Sequence, residues 1–260
     1  MLAAVADLAK TKDLVWEWTA RNVRARYQQS VLGWLWAIVQ PAAQVAIFAV
    51  VFKTIVPVDT GNTPYVLFSY VALVPWTLLA MSLPDMANSL VDNLALVTKI
   101  YFPREALPVA ALLARLLDFA VAAVLIVVLM IAFQVAPSAT GWLFLPGVLA
   151  IELMLILGLG LMCAALNVFV RDVRSLLTLG LQVWFYASPV LYPTSLVPAW
   201  LRPYYFLNPM AGVLTAFRDI LLEGGQPGPY LVPAALVSAF VLIAGWWIFT
   251  KVEYQFADRI

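Results

Sequence analysis

Residues 119–151 read FAVAAVLIVVLMIAFQVAPSATGWLFLPGVLAI, and none of them is charged. A bilayer core is crossed by about 20 apolar helical residues at 1.5 Å of rise each. The stretch therefore belongs to two crossings, near 107–133 and 143–169, and the turn between them. Outward from it the charges leave further clear windows at 27–52, 60–84, 153–170, 175–201 and 224–250. These place the other spans near 33–53, 65–83, 175–193 and 230–250. The runs do not alternate every second residue as barrel strands do, so they are helices. The expected fold is an all-α integral membrane domain of six transmembrane helices, a single domain over 1–260. The composition requires lipid as the outer solvent. Of 260 residues, 64% are hydrophobic and 11% charged, against about 45–50% and about 25% in soluble domains. Mean hydropathy is +0.94.

Several function classes drop out early. The net charge of +1 argues against nucleic acid as a partner. There is no histidine, the commonest general base and metal ligand. The lone thiol, Cys163, builds neither an intramolecular disulfide nor a Cys-rich metal site. No metal site and no catalytic residue is expected. Residues 1–30 carry eight charges and no apolar core of signal-peptide length. No glycine precedes a lysine, so there is no phosphate-cradling P-loop. Leu222-Glu223-Gly224-Gly225-Gln226 imitates an ATPase signature, but it reads better as the end of a short helix closed by Gly224.

Basic residues set the orientation. With both termini in the cytoplasm, eleven of the 15 Lys and Arg lie inside and three (Lys53, Arg202 and Arg218) outside, with Arg115 within a span.

Three segments are neither plain spans nor plain loops. Residues 11–29 form an amphipathic helix with Leu14, Val15, Trp18 and Val23 on one side and Arg21, Arg24 and Arg26 toward its end. Such a helix lies in the cytoplasmic interface, near anionic headgroups of the membrane lipids. Residues 84–104 form the longest inside connection, where Pro84 and Pro103 bracket an amphipathic stretch bearing Leu90, Leu94 and Val97. A short helix below a membrane domain suits a groove on a soluble partner. Residues 192–229 are rich in proline yet hold apolar runs too short to span, which suggests short helices re-entering the outer leaflet.

Ionisable groups within spans are functional candidates. Arg115 and Asp118, three apart, share a helix face and form a local ion pair. Glu152 has no partner nearby in sequence and faces either a polar cavity or a neighbouring span. Among the aromatics, Trp34 and Trp36 open the first span, and Trp184, Phe185 and Tyr186 lie in the middle of the fifth. Rings beside the Ser188-Pro189 break suit a pathway wall, because flat faces stack on sugars.

Ordered motifs complete the reading: Tyr27-x-x-Ser30, Gly33-Trp34-Leu35-Trp36 before Pro41, Lys99-Ile100-Tyr101-Phe102-Pro103-Arg104-Glu105, Leu107-Pro108, Arg171-Asp172-Val173, Ser188-Pro189-Val190-Leu191-Tyr192-Pro193, Leu207-Asn208-Pro209, Phe217-Arg218-Asp219 and Phe256-Ala257-Asp258. With these the chain resembles the permease subunit of type-2 ABC exporters, in the branch that exports polysaccharides such as O-antigen, capsule and teichoic acid. The resemblance implies a homodimeric channel in the bacterial cytoplasmic (inner) membrane. It implies two separate ATPase subunits that hold ATP and Mg, and a lipid-linked polysaccharide as substrate. This chain would bind no cofactor of its own. The 84–104 segment would be the coupling helix, with Asn93, Leu94, Val97, Lys99, Tyr101, Phe102 and Arg104 toward the ATPase. Trp34, Trp36, Trp184, Phe185, Tyr186 and Tyr192 would guide the glycan, and the outer segment would close the exit. Competing readings are a type-2 permease for teichoic acid, a drug or another lipid, an integral-membrane transferase, and a secondary transporter. The scattered carboxylates and missing histidines disfavour the transferase. The scarcity of charge within the spans disfavours the secondary transporter.

Overall fold

The computed structural model describes residues 11–28, 30–55, 57–61, 63–93, 96, 102–136, 139–170 and 172–256. Nine α-helices follow one another among them, with no strand: α1 (Lys12–Tyr27), α2 (Trp36–Val50), α3 (Tyr65–Asn88), α4 (Ala106–Ala132), α5 (Ala139–Phe169), α6 (Val173–Ala187), α7 (Arg202–Tyr205), α8 (Pro209–Leu221) and α9 (Leu231–Val252). Five stretches are long and apolar enough to cross a membrane: Gly33–Val50, Tyr65–Asn88, Ala106–Ala132, Thr140–Phe169 and Leu231–Gln255. The remaining expected span, 175–193, is a regular helix of 15 residues followed by a turn.

α3 is the central post. Seventeen of its 24 residues are buried, and it packs against α2, α4, α5, α6 and α8. Its burial explains a departure from the sequence reading. Pro84 does not open a separate helix; α3 runs through both Pro75 and Pro84 to Asn88. A proline inside a helix removes one hydrogen bond and bends the axis, and here packing on every side outweighs that loss. The described part of the connection beyond opens with a 3₁₀ turn, Val91–Asn93.

α5 and α9 form the closest pair. Gly158 faces the backbone of Val241 and Leu242, and Gly245 faces the backbone of Gly158. A methyl group at either glycine would enter main chain rather than a movable side chain. Small residues of this kind let helices approach closely where no hydrophobic effect drives them together. Hydrogen bonds across helices add to the frame. Tyr70 donates to the Ala122 carbonyl at 3.3 Å, and Asn167 donates to the Ala87 carbonyl at 2.9 Å.

α2 and α6 are the exceptions. Only Pro41 and Val45 of α2, and only Leu181 and Phe185 of α6, are buried. Both helices present a broad apolar face that none of the described residues covers, with Val39, Ile47 and Val50 on one and Leu176, Leu179 and Val183 on the other exposed.

Candidate functional site

At one end of the bundle α1 lies against α4. Val15, Thr19 and Val23 are the buried positions of α1, and their four-residue spacing makes one stripe. Leu14 and Trp18 are half-buried beside it. The end of α1 then delivers Arg26 and Tyr27 into a four-membered charge cluster. Arg26 donates to Asp118 and, at 2.8 Å, to Asp85. Arg115 donates to Asp85 at 2.7 and 3.2 Å and to Asp118 at 3.3 Å. The Tyr27 hydroxyl donates to the other Asp118 oxygen at 2.7 Å. The sequence reading found the Arg115–Asp118 pair but not its partners on α1 and α3. Two cations and two anions cancel, so the cluster is a neutral knot tying α1, α3 and α4 together.

Burial, and then the hydrogen bond to Asp118, push the Tyr27 hydroxyl up to about 12. It therefore stays protonated as a donor. Its ring stacks on Trp34, 5.8 Å between centroids. Above the knot lies a cavity of about 220 Å³, walled by Trp36, Gln40 and Pro41 of α2, by Thr77 of α3 and by Phe119 of α4. Trp36 lines this cavity, and Trp34 and Trp36 are both half-exposed.

The expected coupling residues Leu94, Val97, Lys99 and Tyr101 lie outside the described residues, as does Arg171 of the fourth-to-fifth turn. The described members anchor the connection. Asn93 accepts from Arg21 of α1 at 3.3 Å and donates to the Ser89 carbonyl at 2.8 Å. Phe102 packs among Leu107, Trp246 and Phe256. Arg104 donates to the Glu253 carbonyl and lies over the Phe256 ring. Arg174 and Asp92, both well exposed, approach at 3.9 Å, a pair of little energetic weight. Glu152 is fully buried in α5, and neither carboxyl oxygen has a hydrogen-bond partner among the described residues.

The other end of α3 is built differently. Trp184, Phe185 and Tyr186 lie in the last turn of α6, not in its middle, because the helix stops at Ala187. Successive residues turn by about 100°, so the three rings part company. Phe185 is 9% exposed and packs edge-on to Trp76 at 5.5 Å. Trp184 donates its indole N–H to Asn208 at 2.8 Å. Tyr186 is 63% exposed and has the freest face of the three. Tyr192 donates to the Tyr186 carbonyl at 3.2 Å and meets Tyr205 at 3.1 Å, hydroxyl to hydroxyl.

The turn after α6 hangs on Arg218. Counted from sequence only as one of the three outside basic charges, it is 5% exposed. It donates to the carbonyls of Phe68, Pro189, Val190 and Tyr192 at 3.2, 2.6, 2.8 and 3.3 Å. Its guanidinium also lies 3.6 Å from the centre of the Phe68 ring, a cation–π contact. Nothing in Phe217-Arg218-Asp219 announces this, since the acceptors are main-chain atoms 26 to 150 positions away. The neighbouring Asp219 accepts from Tyr230. Burial raises its carboxyl pKa above the usual value, against that hydrogen bond.

The family model described as ABC-2 type transporter matches residues 13–222. The chain belongs to the ABC-2 type transporter membrane family. Among curated relatives, the O-antigen export system permease protein RfbA of Myxococcus xanthus is 31% identical over 263 residues, covering 100% of both chains. RfbA of Klebsiella pneumoniae is 27% identical over 249 residues, 95% of this chain and 94% of that one. The polysialic acid transport protein KpsM of Escherichia coli is 24% identical over 232 residues, 86% of this chain and 88% of that one. The ABC-2 match takes in both arginine sites and every expected pathway residue, and it stops at the end of α8. Together with the five apolar helices it makes the chain a multi-pass membrane protein of transporter type.

Proposed function

We propose that this chain is the permease subunit of an ATP-driven exporter that carries a lipid-linked polysaccharide, of the O-antigen class, across the bacterial inner membrane. The observation that carries the reading is the pair of under-packed helices. α2 and α6 keep apolar faces bare, and the aromatics at their two ends, Trp34 and Trp36 on one and Tyr186 on the other, stay uncovered. Lipid can cover a bare apolar face in a bilayer, so what singles these two helices out is how few of their residues pack within the chain, with aromatic rings left exposed at their ends. In the proposal a second copy of the chain meets these faces, leaving a path between the copies. Relatives named for O-antigen export and polysialic acid transport favour a glycan as cargo.

The finer parts of the proposal follow from this. Two separate ATPase subunits supply ATP and Mg, because this chain has no phosphate-binding loop of its own. They dock at the α3–α4 connection. Both termini face the cytoplasm on the charge count. α6 with its following turn makes the fifth of six crossings, and 192–229 re-enters the outer leaflet.

The test is complementation. A strain lacking the chain should lose surface polysaccharide, accumulate it inside, and regain export when the chain is restored. Normal surface polysaccharide in the deleted strain would refute the assignment, and export of a drug or another lipid instead would move the chain to a different substrate class.

A further inference from the structure

An asparagine side chain offers one oxygen with two lone pairs and two N–H groups. Asn208 uses all four. Its oxygen accepts from the Trp184 indole at 2.8 Å and from the Met210 main chain at 3.1 Å. Its amide donates to the Ser188 hydroxyl at 2.9 Å and the Ala187 carbonyl at 3.4 Å. One of these bonds caps α8 at its N-terminus, where Pro209 takes the first helical position. The other three reach the end of α6.

The two helices joined here differ sharply. Twelve of the 13 residues of α8 are buried, and it packs on α3, α5 and α9. α6 has two buried residues of 15. A fixed helix is thus tied to a loosely held one through one amide. The tie's attachments at Trp184, Ala187 and Ser188 flank Tyr186, whose ring meets Phe185 edge-on at 5.3 Å and is otherwise exposed. Trp184, read from sequence as a pathway ring, spends its only polar group on this tie.

We infer that Asn208 is a positioning residue: it references the last turn of α6 to the immobile α8 through the Trp184 indole and thereby sets where Tyr186 stands. Trp184 then acts through Asn208 rather than by stacking on cargo. The transport side of this inference rests on the export reading; the positional side does not.

The experiment uses the whole transporter in its native membrane, with Cys163→Ala to remove the native thiol. Val190→Cys reports on the turn, because Val190 is fully buried beside the tie. The rate of its labelling by an impermeant maleimide is measured beside surface polysaccharide and membrane level. Trp184→Phe keeps a ring but deletes the N–H, and Asn208→Ala deletes all four bonds. Each should raise labelling roughly three- to tenfold, as expected from losing a hydrogen bond of ordinary net strength. Trp184→Phe combined with Asn208→Ala should label no faster than Asn208→Ala alone, because both remove one link. Asn208→Asp keeps both acceptor roles and the cap, so it should fall between wild type and Asn208→Ala. Export should fall in the same order.

Unchanged labelling in Trp184→Phe, or rates that multiply in the double variant, would overturn the inference. If Asn208→Ala does not accumulate, Trp184→Phe and Asn208→Asp decide as single variants, and unchanged labelling in Trp184→Phe still overturns the inference. If the wild type exports no polysaccharide, the export reading fails while labelling still judges the tie.

Discussion

Two arginine sites stand at opposite ends of α3, 17 residues and so about 25 Å apart. Arg26 and Arg115 face Asp85 and Asp118 in a knot that is part-exposed and balanced in charge. Arg218 faces four main-chain carbonyls and one aromatic ring, and it is buried. The first holds helix to helix by opposite charges, so exchange of partners and access of water are open to it. The second holds a turn by satisfying the carbonyls of Pro189, Val190 and Tyr192, which lie outside the helices, and it fastens them to the Phe68 carbonyl of α3. A part-solvated charge knot suits an element that must move. A buried cation among carbonyls suits one that must not.

The largest break should come from Arg218→Met. It would strand the carbonyls of Pro189 and Val190 in a buried place, at about 1–3 kcal/mol for each orphaned group. Little folded protein should remain, measured as membrane level and as the thermal midpoint in detergent. Arg218→Lys should rescue only in part, because an ammonium cannot reproduce the planar fork. A Met variant as stable as wild type would erase the contrast between the two ends.

Asp118→Asn comes next. It removes the carboxylate that accepts from Arg26, Arg115 and Tyr27. The groups stay partly solvated, so about 1–2 kcal/mol is expected. The loss should show as faster proteolysis within α1, with the rest of the bundle intact. Smaller again is the effect of salt. At 1 M the screening length is about 3 Å, so α1 should become more protease-sensitive while Val190→Cys labelling stays constant. Equal salt responses at both ends would contradict the difference in burial.

The smallest effect belongs to Tyr27→Phe, worth about 1 kcal/mol at neutral pH. Its sign with pH is definite. The folded pKa is raised from the ordinary 10.0 to about 12, so the neutral donor is favoured in the folded state. The stabilisation is complete below pH 10 and is lost as pH rises from 10 toward 12. Proteolysis of α1 should accelerate over that window in wild type. Tyr27→Phe should show no such step.

Five of the six expected spans were legible because uncharged windows depend only on local composition. The end of α6 was legible at Ser188-Pro189 for the same reason. Pro84 misled because its local meaning, a helix start, was overridden by the burial of α3, which sequence does not display. Of the charge knot, the i,i+3 pair Arg115–Asp118 was visible. Arg26 and Asp85 were not, standing 92 and 30 positions from their partners on α4. Arg218 was hidden more deeply, since main-chain acceptors leave no residue type to recognise. Helix geometry makes three successive aromatics of α6 diverge, but only the structure distinguishes the packed ring, the tied ring and the exposed one.

The seam between α5 and α9 has a mechanical consequence. Where Gly158 meets Gly245, backbone touches backbone, and no rotamers lie between them to rearrange. Such a joint has no second packing into which it can slip. Work done on the bundle cannot be absorbed there, and α5 and α9 must travel or stand as one body. The displacement is left to the members with few attachments, α2 and α6. The molecule then divides into a stator and two blades, with glycine, the residue usually credited with flexibility, locking the stator.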